Sequence, residues 1–106
     1  RLVVDAGALA LSKDRGTAEQ AQDCGYGLLM RPGGGPPISG LCVDAVNQEH
    51  GIIDLPAGLD FADFPIGSRL RVLPNHACMT AAAYDRYHLV DAHGGPLETW
   101  ARCNGW

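Results

Sequence analysis

Lysine is almost absent: Lys13 is the only one among 106 residues. Chemistry that needs a lysine Schiff base must use Lys13 or take its lysine from elsewhere. Lys13 lies in the polar turn "LSKDRG" and reads as a solvated charge. Long apolar runs are also missing, and none approaches the roughly 20 residues of a membrane-spanning helix. In the opening "RLVVDAGALALSKD" the apolar run is short and broken by Asp5. It does not read as a signal peptide but as a strand and a turn. Basic charge is scarce: twelve acids against eight bases leave a net charge of −4. Phosphate binding needs a basic face, so a nucleic-acid partner is not expected. Arg69 and Arg71 alternate with Leu70 and Val72 and read as the outward side of a strand.

Cysteine is modest in number and carries no CxxC. Cys24, Cys42, Cys78 and Cys103 are separated by 18, 36 and 25 positions. An even count permits two disulfides in three pairings. The density is low for a disulfide-dependent scaffold, so reduced thiols and a cytoplasmic location are expected. Internal repeats and low-complexity tracts are absent.

What is present is glycine, 14 residues, and proline, 7, punctuating short apolar runs. That is the pattern of an all-β domain. "RLVVDAG" predicts a strand ending at Gly7, with "LALS" continuing it after a bend. "DRGTAEQAQDCG" reads as loop with room for one helical turn, "YGLLMR" as a short strand, "PGGGPP" as an irregular connection. "SGLCVDAVNQEHGIIDL" has strand-like runs on both sides of a polar centre. "PAGLDFADFPIG" reads as a loop with apolar residues tucked in, and "SRLRVL" as a half-buried strand. "TAAAYDRY" is short for a helix, and "YHLVDAHG" with "LETWARCNGW" predicts a final hairpin in which Trp106 is packed. About six strands result. The expected fold is mainly β: a small β-barrel or sandwich-like domain with one short helix, forming a single domain over residues 1–106. The glycines at 33–35 lead into Pro36 and Pro37, which lack amide donors, so a phosphate loop is not expected there.

The stretch "VLPNHACMTAAAYD" begins like a strand and ends like a helix, with His76 and Cys78 at the join. On a helix, residues two apart point to nearly opposite sides. On a strand they share a face about 6.5 Å apart, and imidazole and thiolate can converge on zinc at about 2.0 and 2.3 Å. Pro74 disfavours helix at the residue before it, so residues 72–78 can stay extended. Two protein ligands leave an open coordination sphere, the catalytic arrangement. Two other readings stand beside this one. Asn75 can cap a helix with Cys78 in its first turn, or the segment can be an ordinary turn. His50 in "NQEHG" lies in a suggestive context, and the neighbouring Glu49 could act as acid, base or orienting partner. His88 and His93 flank the predicted hairpin and read as surface or core residues.

Taken together, these segments resemble a known family. "VLPNHAC", a small-residue stretch and a tyrosine look like the metal-binding segment of the D-serine dehydratase and D-threonine aldolase family. "NQEHG" is similar to that family's "SEEHG", with Asn47 and Gln48 in place of the leading pair. "DAG" at Asp5–Gly7 and the closing "W-x-R-x-x-G-W", Trp100 to Trp106, also fit, and the matches run in the family's order over almost the whole chain. The resemblance implies the C-terminal, mainly β domain of an alanine-racemase-type enzyme. The preceding (β/α)₈ barrel, with pyridoxal phosphate on its lysine, is outside the sequence. It implies that His76 and Cys78 hold a divalent metal, zinc favoured by the thiolate, with a tentative catalytic part for His50. The implied substrate is a D-β-hydroxy amino acid, undergoing dehydratase-type β-elimination or, alternatively, aldolase-type cleavage. A homodimer with the active site near its interface is implied too, and the isolated chain is expected to be inactive. Rival readings are a stand-alone zinc-binding or interaction module and a small secreted domain with two disulfides.

Overall fold

Alternation at period two is clearest in the first strand. In the computed structural model, which describes residues 1–104, β1 is Leu2–Val4. Leu2 and Val4 turn inward while Val3 is exposed. β1 pairs antiparallel with β4, Gly51–Ile53, in the register Leu2↔Ile53 and Val4↔Gly51. β3, Ala45–Val46, lies on the other edge of β4. The run 39–55 thus folds as the expected pair of strands about a polar turn.

β2, Gly27–Met30, pairs antiparallel with β5, Arg71–Pro74, setting Leu28 opposite Leu73 and Leu29 opposite Val72. The other edge of β2 is taken by residues 41–43. The Leu29 amide donates to the Leu41 carbonyl, and the Val43 amide to the Gly27 carbonyl. β2 is therefore central, and the core forms on it: Leu29, Leu41, Val43 and Ile53 are fully buried, with Leu11 and Phe64 closing the ends. Full burial of such a side chain is worth about 1.5–3 kcal/mol. Phe64 is held from outside by the Arg31 guanidinium, 4.9 Å above its ring. It follows a 3₁₀ turn, Phe61–Asp63, closed by reciprocal bonds between Asp60 and Asp63. The loop 56–67 indeed tucks an apolar residue in.

Two expectations change. "LALS" does not continue β1; it forms the helix α1, Ala8–Leu11. The reason is tertiary: the amides of Ala8 and Leu9, orphans at a helix start, donate to the carbonyls of Asn47 (2.8 Å) and Gln48 (3.0 Å). A second helix, α2, occupies Ala77–Ala82, earlier than "TAAAYDRY" suggested. One short helix was expected, and the described residues form two besides the 3₁₀ turn.

β6, Arg86–Val90, and β7, Pro96–Ala101, form the expected final hairpin, with Tyr87 opposite Trp100 and a bulge between Leu89 and Val90. Its turn is tied by Asp91, whose Oδ1 accepts from the amides of His93 and Gly95. Trp106 lies outside the described residues. The hydrogen-bonded ladders make one three-stranded and two two-stranded sheets among the described residues, and no closed barrel joins them. The fold is mainly strands with short helices. Among the described residues no helix is long and apolar enough to cross a membrane.

Candidate functional site

His76 and Cys78 stand where β5 passes into α2. The Asn75 amide donates to the Tyr26 carbonyl, extending the β2–β5 pairing past Pro74. His76 follows with extended dihedrals, φ −120° and ψ 94°, and is the N-cap of α2. Cys78 is the second residue of that helix. Presentation of both residues outside a regular helix therefore holds for His76 only. Asn75 is not the cap: its side-chain amide donates to the Gly25 carbonyl at 2.6 Å and to Thr17 Oγ1 at 2.7 Å.

That places the corner on a polar knot built from residues 15–25. Thr17 Oγ1 also donates to Asp23 Oδ1 and accepts from the Cys24 amide. Asp23 accepts from the Gly25 amide and pairs with Arg15. Arg15 in turn lies 5.5 Å from the Tyr26 ring centre. Desolvation works against the ionised Asp23. The Gly25 amide, the Thr17 hydroxyl and Arg15 outweigh it and hold the carboxyl below its usual range. The segment read as loop is thus a hydrogen-bonded support, and it contains turns without a helix.

His76 Nδ1 meets Asp14 Oδ2 at 2.6 Å, both side chains being roughly half exposed. Cys78 is a free, exposed thiol. An imidazole nitrogen and an accessible sulfur are zinc-type donors, ill suited to hard oxygen-seeking cations. As a donor pair they fit a metal. Among the described residues no group of three or more His, Cys, Asp or Glu side chains could hold one. Two donors could fill only part of a coordination sphere.

The short helix α1 links the segments singled out in the sequence. At its start, "DAG" presses on "NQEHG": a Cβ added to Gly7 would lie 2.5 Å from the His50 amide nitrogen. At its end, Thr80 Oγ1 of α2 donates to the Leu11 carbonyl at 3.1 Å, and the Tyr84 hydroxyl to the Ala10 carbonyl at 3.3 Å. His50 itself is exposed in the β3–β4 turn, its carbonyl accepting from the Asn47 amide. The carboxylate beside His76 is Asp14, not Glu49. Sequence reasoning passed over Asp14, which stands 62 positions from His76. No sequence signal pointed to it, because the contact depends on α1 docking against α2.

Other residues have structural partners. His88 Nδ1 meets Thr99 Oγ1 across the hairpin at 3.1 Å. Lys13 is exposed. The four cysteines are free thiols. Burial, with the Asp44 carboxylate beside it, pushes the Cys42 thiol up to about 11. Two clefts, of about 420 and 540 Å³, run between β1 and residues 64–72, lined by Val3, Val4, Ser68 and Leu70. They include none of His50, His76 and Cys78.

Residues 1–90 match a family profile described as "Putative serine dehydratase domain". The chain is 46% identical over 108 residues to the D-threo-3-hydroxyaspartate dehydratase of Delftia sp. (strain HT23), covering 98% of this chain and 28% of that enzyme. It is 34% identical over 111 residues to the D-serine dehydratase of Dictyostelium discoideum, covering 99% and 26%. In structure it resembles an alanine-racemase-like protein from Idiomarina loihiensis with a TM-score of 0.88 at 46% identity, covering 99% of this chain and 28% of the other. The Delftia enzyme has been solved as a cysteine-to-alanine mutant in the metal-free form, TM-score 0.85 at 44% identity, covering 98% and 28%. It has also been solved as a histidine-to-alanine mutant, the replaced residue lying two positions before that cysteine. The chain thus spans little more than a quarter of the length of these two dehydratases.

Proposed function

This chain belongs to the serine dehydratase domain family, and from that premise we propose that it is the metal-bearing C-terminal domain of a D-β-hydroxy amino acid dehydratase. A (β/α)₈ barrel carrying pyridoxal phosphate on a lysine precedes it in the whole enzyme. The two relatives described above are dehydratases, and nothing in the comparisons favours aldol cleavage. The observation that carries the reading is the presentation of His76 and Cys78. One is an extended N-cap whose Nδ1 is engaged, so that its other nitrogen can bind; the other is an exposed thiol two residues on. A histidine and a cysteine with the same spacing have been replaced in the Delftia enzyme, which supports the reading.

When bound, the divalent metal supplies Lewis-acid stabilisation to the departing β-hydroxyl while pyridoxal phosphate supplies the sink for the electrons of the α-carbon. The residues of this chain do the holding. His76 offers Nε2 and Cys78 offers Sγ, and together they leave open positions for water or the substrate hydroxyl. Asn75 fixes the corner from which both project. Thr80 and Tyr84 fasten α2 to the end of α1, so the helix bearing Cys78 cannot tilt independently of that helix. His50 stays a tentative catalytic residue, at the opposite end of α1. Product formation is α-keto acid plus ammonia, with the hydroxyl lost as water and water consumed when ammonia is released.

The test uses the full-length protein carrying this chain. Metal content and keto-acid release from D-serine and D-threo-3-hydroxyaspartate are measured for the wild type, His76→Ala and Cys78→Ala, each with pyridoxal phosphate. The proposal expects both variants to lose bound metal and activity together. Full activity in either variant would refute it.

A further inference from the structure

Asp14 has no part in the function proposed above, yet its Oδ2 lies 2.6 Å from Nδ1 of the His76 ring. An ionised carboxylate only accepts hydrogen bonds, so Nδ1 must carry the proton between them. In the neutral ring the lone pair then sits on Nε2. A metal-binding histidine needs its ring direction fixed and one nitrogen left bare, and a carboxylate on the opposite N–H does both.

The backbone that delivers Asp14 is specially shaped. Ser12, at the end of α1, has φ 71° and ψ 176°, and it is the only non-glycine residue with positive φ among the described residues. Such a conformation is strained for a residue with a Cβ and persists where surrounding contacts enforce it. Here the contacts are identifiable. Ser12 Oγ accepts from the Asp14 amide at 3.2 Å, and the adjoining Leu11 carbonyl accepts from Thr80 of α2. The turn therefore redirects the chain from α1 straight to the N-cap of α2, and the carboxylate arrives at the histidine from an element clamped to the same helix.

We propose that Asp14 is a positioning residue for the metal site: it fixes the Nδ1–H tautomer of His76 and aims Nε2 at the ion. This rests on the metal reading of His76 and Cys78. It is separable from it, because Asp14 is not itself a ligand.

The experiment titrates zinc into the metal-stripped full-length protein, comparing wild type, Asp14→Asn, Asp14→Ala and His76→Ala. Thermal melting of each metal-free protein is recorded alongside. A positioning carboxylate predicts a roughly 10–100-fold weaker zinc dissociation constant in Asp14→Ala, with metal-free melting unchanged. Asp14→Asn falls between Asp14→Ala and wild type, because its amide oxygen still accepts from Nδ1–H. Nitrogen-15 spectra of the metal-free protein should show the Nδ1–H tautomer at His76 in wild type and its loss in Asp14→Ala. If Asp14→Ala binds zinc like wild type while His76→Ala does not, the Asp14 role is overturned and the metal reading stands. Equal zinc binding by wild type and His76→Ala overturns both. Weaker binding that tracks a matching drop in metal-free melting makes Asp14 a stability residue and overturns the positioning role.

Discussion

Gly7 and His50 touch through their backbones: a Cβ on Gly7 would lie 2.5 Å from the His50 amide nitrogen and 2.5 Å from the Glu49 carbonyl carbon. Both neighbours are main chain, which cannot rotate aside as a flexible side chain can. Gly7→Ala is therefore expected to push the β3–β4 turn off α1 and to break the Ala8 and Leu9 amide bonds to Asn47 and Gln48. Overpacking of this sort costs about 1–3 kcal/mol. Denaturant unfolding measures it, and an unchanged midpoint would show that the turn yields without cost.

Asn75 makes the second prediction. Its side-chain amide joins the β5–α2 corner to Gly25 and Thr17. Asn75→Ala leaves a partly buried carbonyl and hydroxyl short of a donor, at a cost of about 1–3 kcal/mol. Zinc affinity of the full-length protein should fall with it, since the corner carries His76. Loss of stability with zinc affinity fully retained would uncouple the knot from the site.

Thiol reactivity separates the cysteines. Cys42 is half-buried and its thiol sits near 11, against an ordinary 9.0, so at pH 8 it has roughly 100-fold less thiolate than an ordinary cysteine. Mass-spectrometric alkylation should find Cys78 modified well before Cys42. Saturating zinc should protect Cys78 in the full-length protein, and removal of the metal by a chelator should restore its reactivity. Alkylation of Cys78 at the same rate with and without zinc would contradict its role as a ligand.

Acid sensitivity should begin in the loop 15–25. The folded Asp23 carboxyl lies below its ordinary 3.8. A lowered carboxyl contributes stability that is present above the unfolded value and is lost as pH falls through the folded one. Hydrogen exchange of the Cys24 and Gly25 amides, both bonded into this knot, should accelerate as pH drops below 3.8, after correction for intrinsic rates. In Asp23→Asn that acid dependence should largely vanish, and its persistence would assign it to another group.

Much of the architecture was legible from local pattern. A short apolar run marked β1, period-two alternation marked β5, polar centres marked the turns of two hairpins, and glycine and proline marked the breaks. These are nearest-neighbour properties, set by which side chains must leave water and which dihedrals a residue tolerates. The H-x-C pair and its donor chemistry were equally visible, because ligand type is a property of the residue.

What tertiary structure decided lies where long-range hydrogen bonds override local preference. "LALS" has no strong signal of its own, and it became helical because carbonyls from residues 47 and 48 satisfy its first amides. The helix 77–82 is docked where it is because α1 supplies acceptors for the hydroxyls of Thr80 and the following Tyr84. Asp14 reaches His76 across 62 positions only through that docking. The sequence by itself determined the strands and the chemical identity of the candidate donors. Only the folded chain decided which carboxylate meets the histidine, because hydrogen bonding at 2.6 Å depends on spatial neighbours that no local pattern encodes.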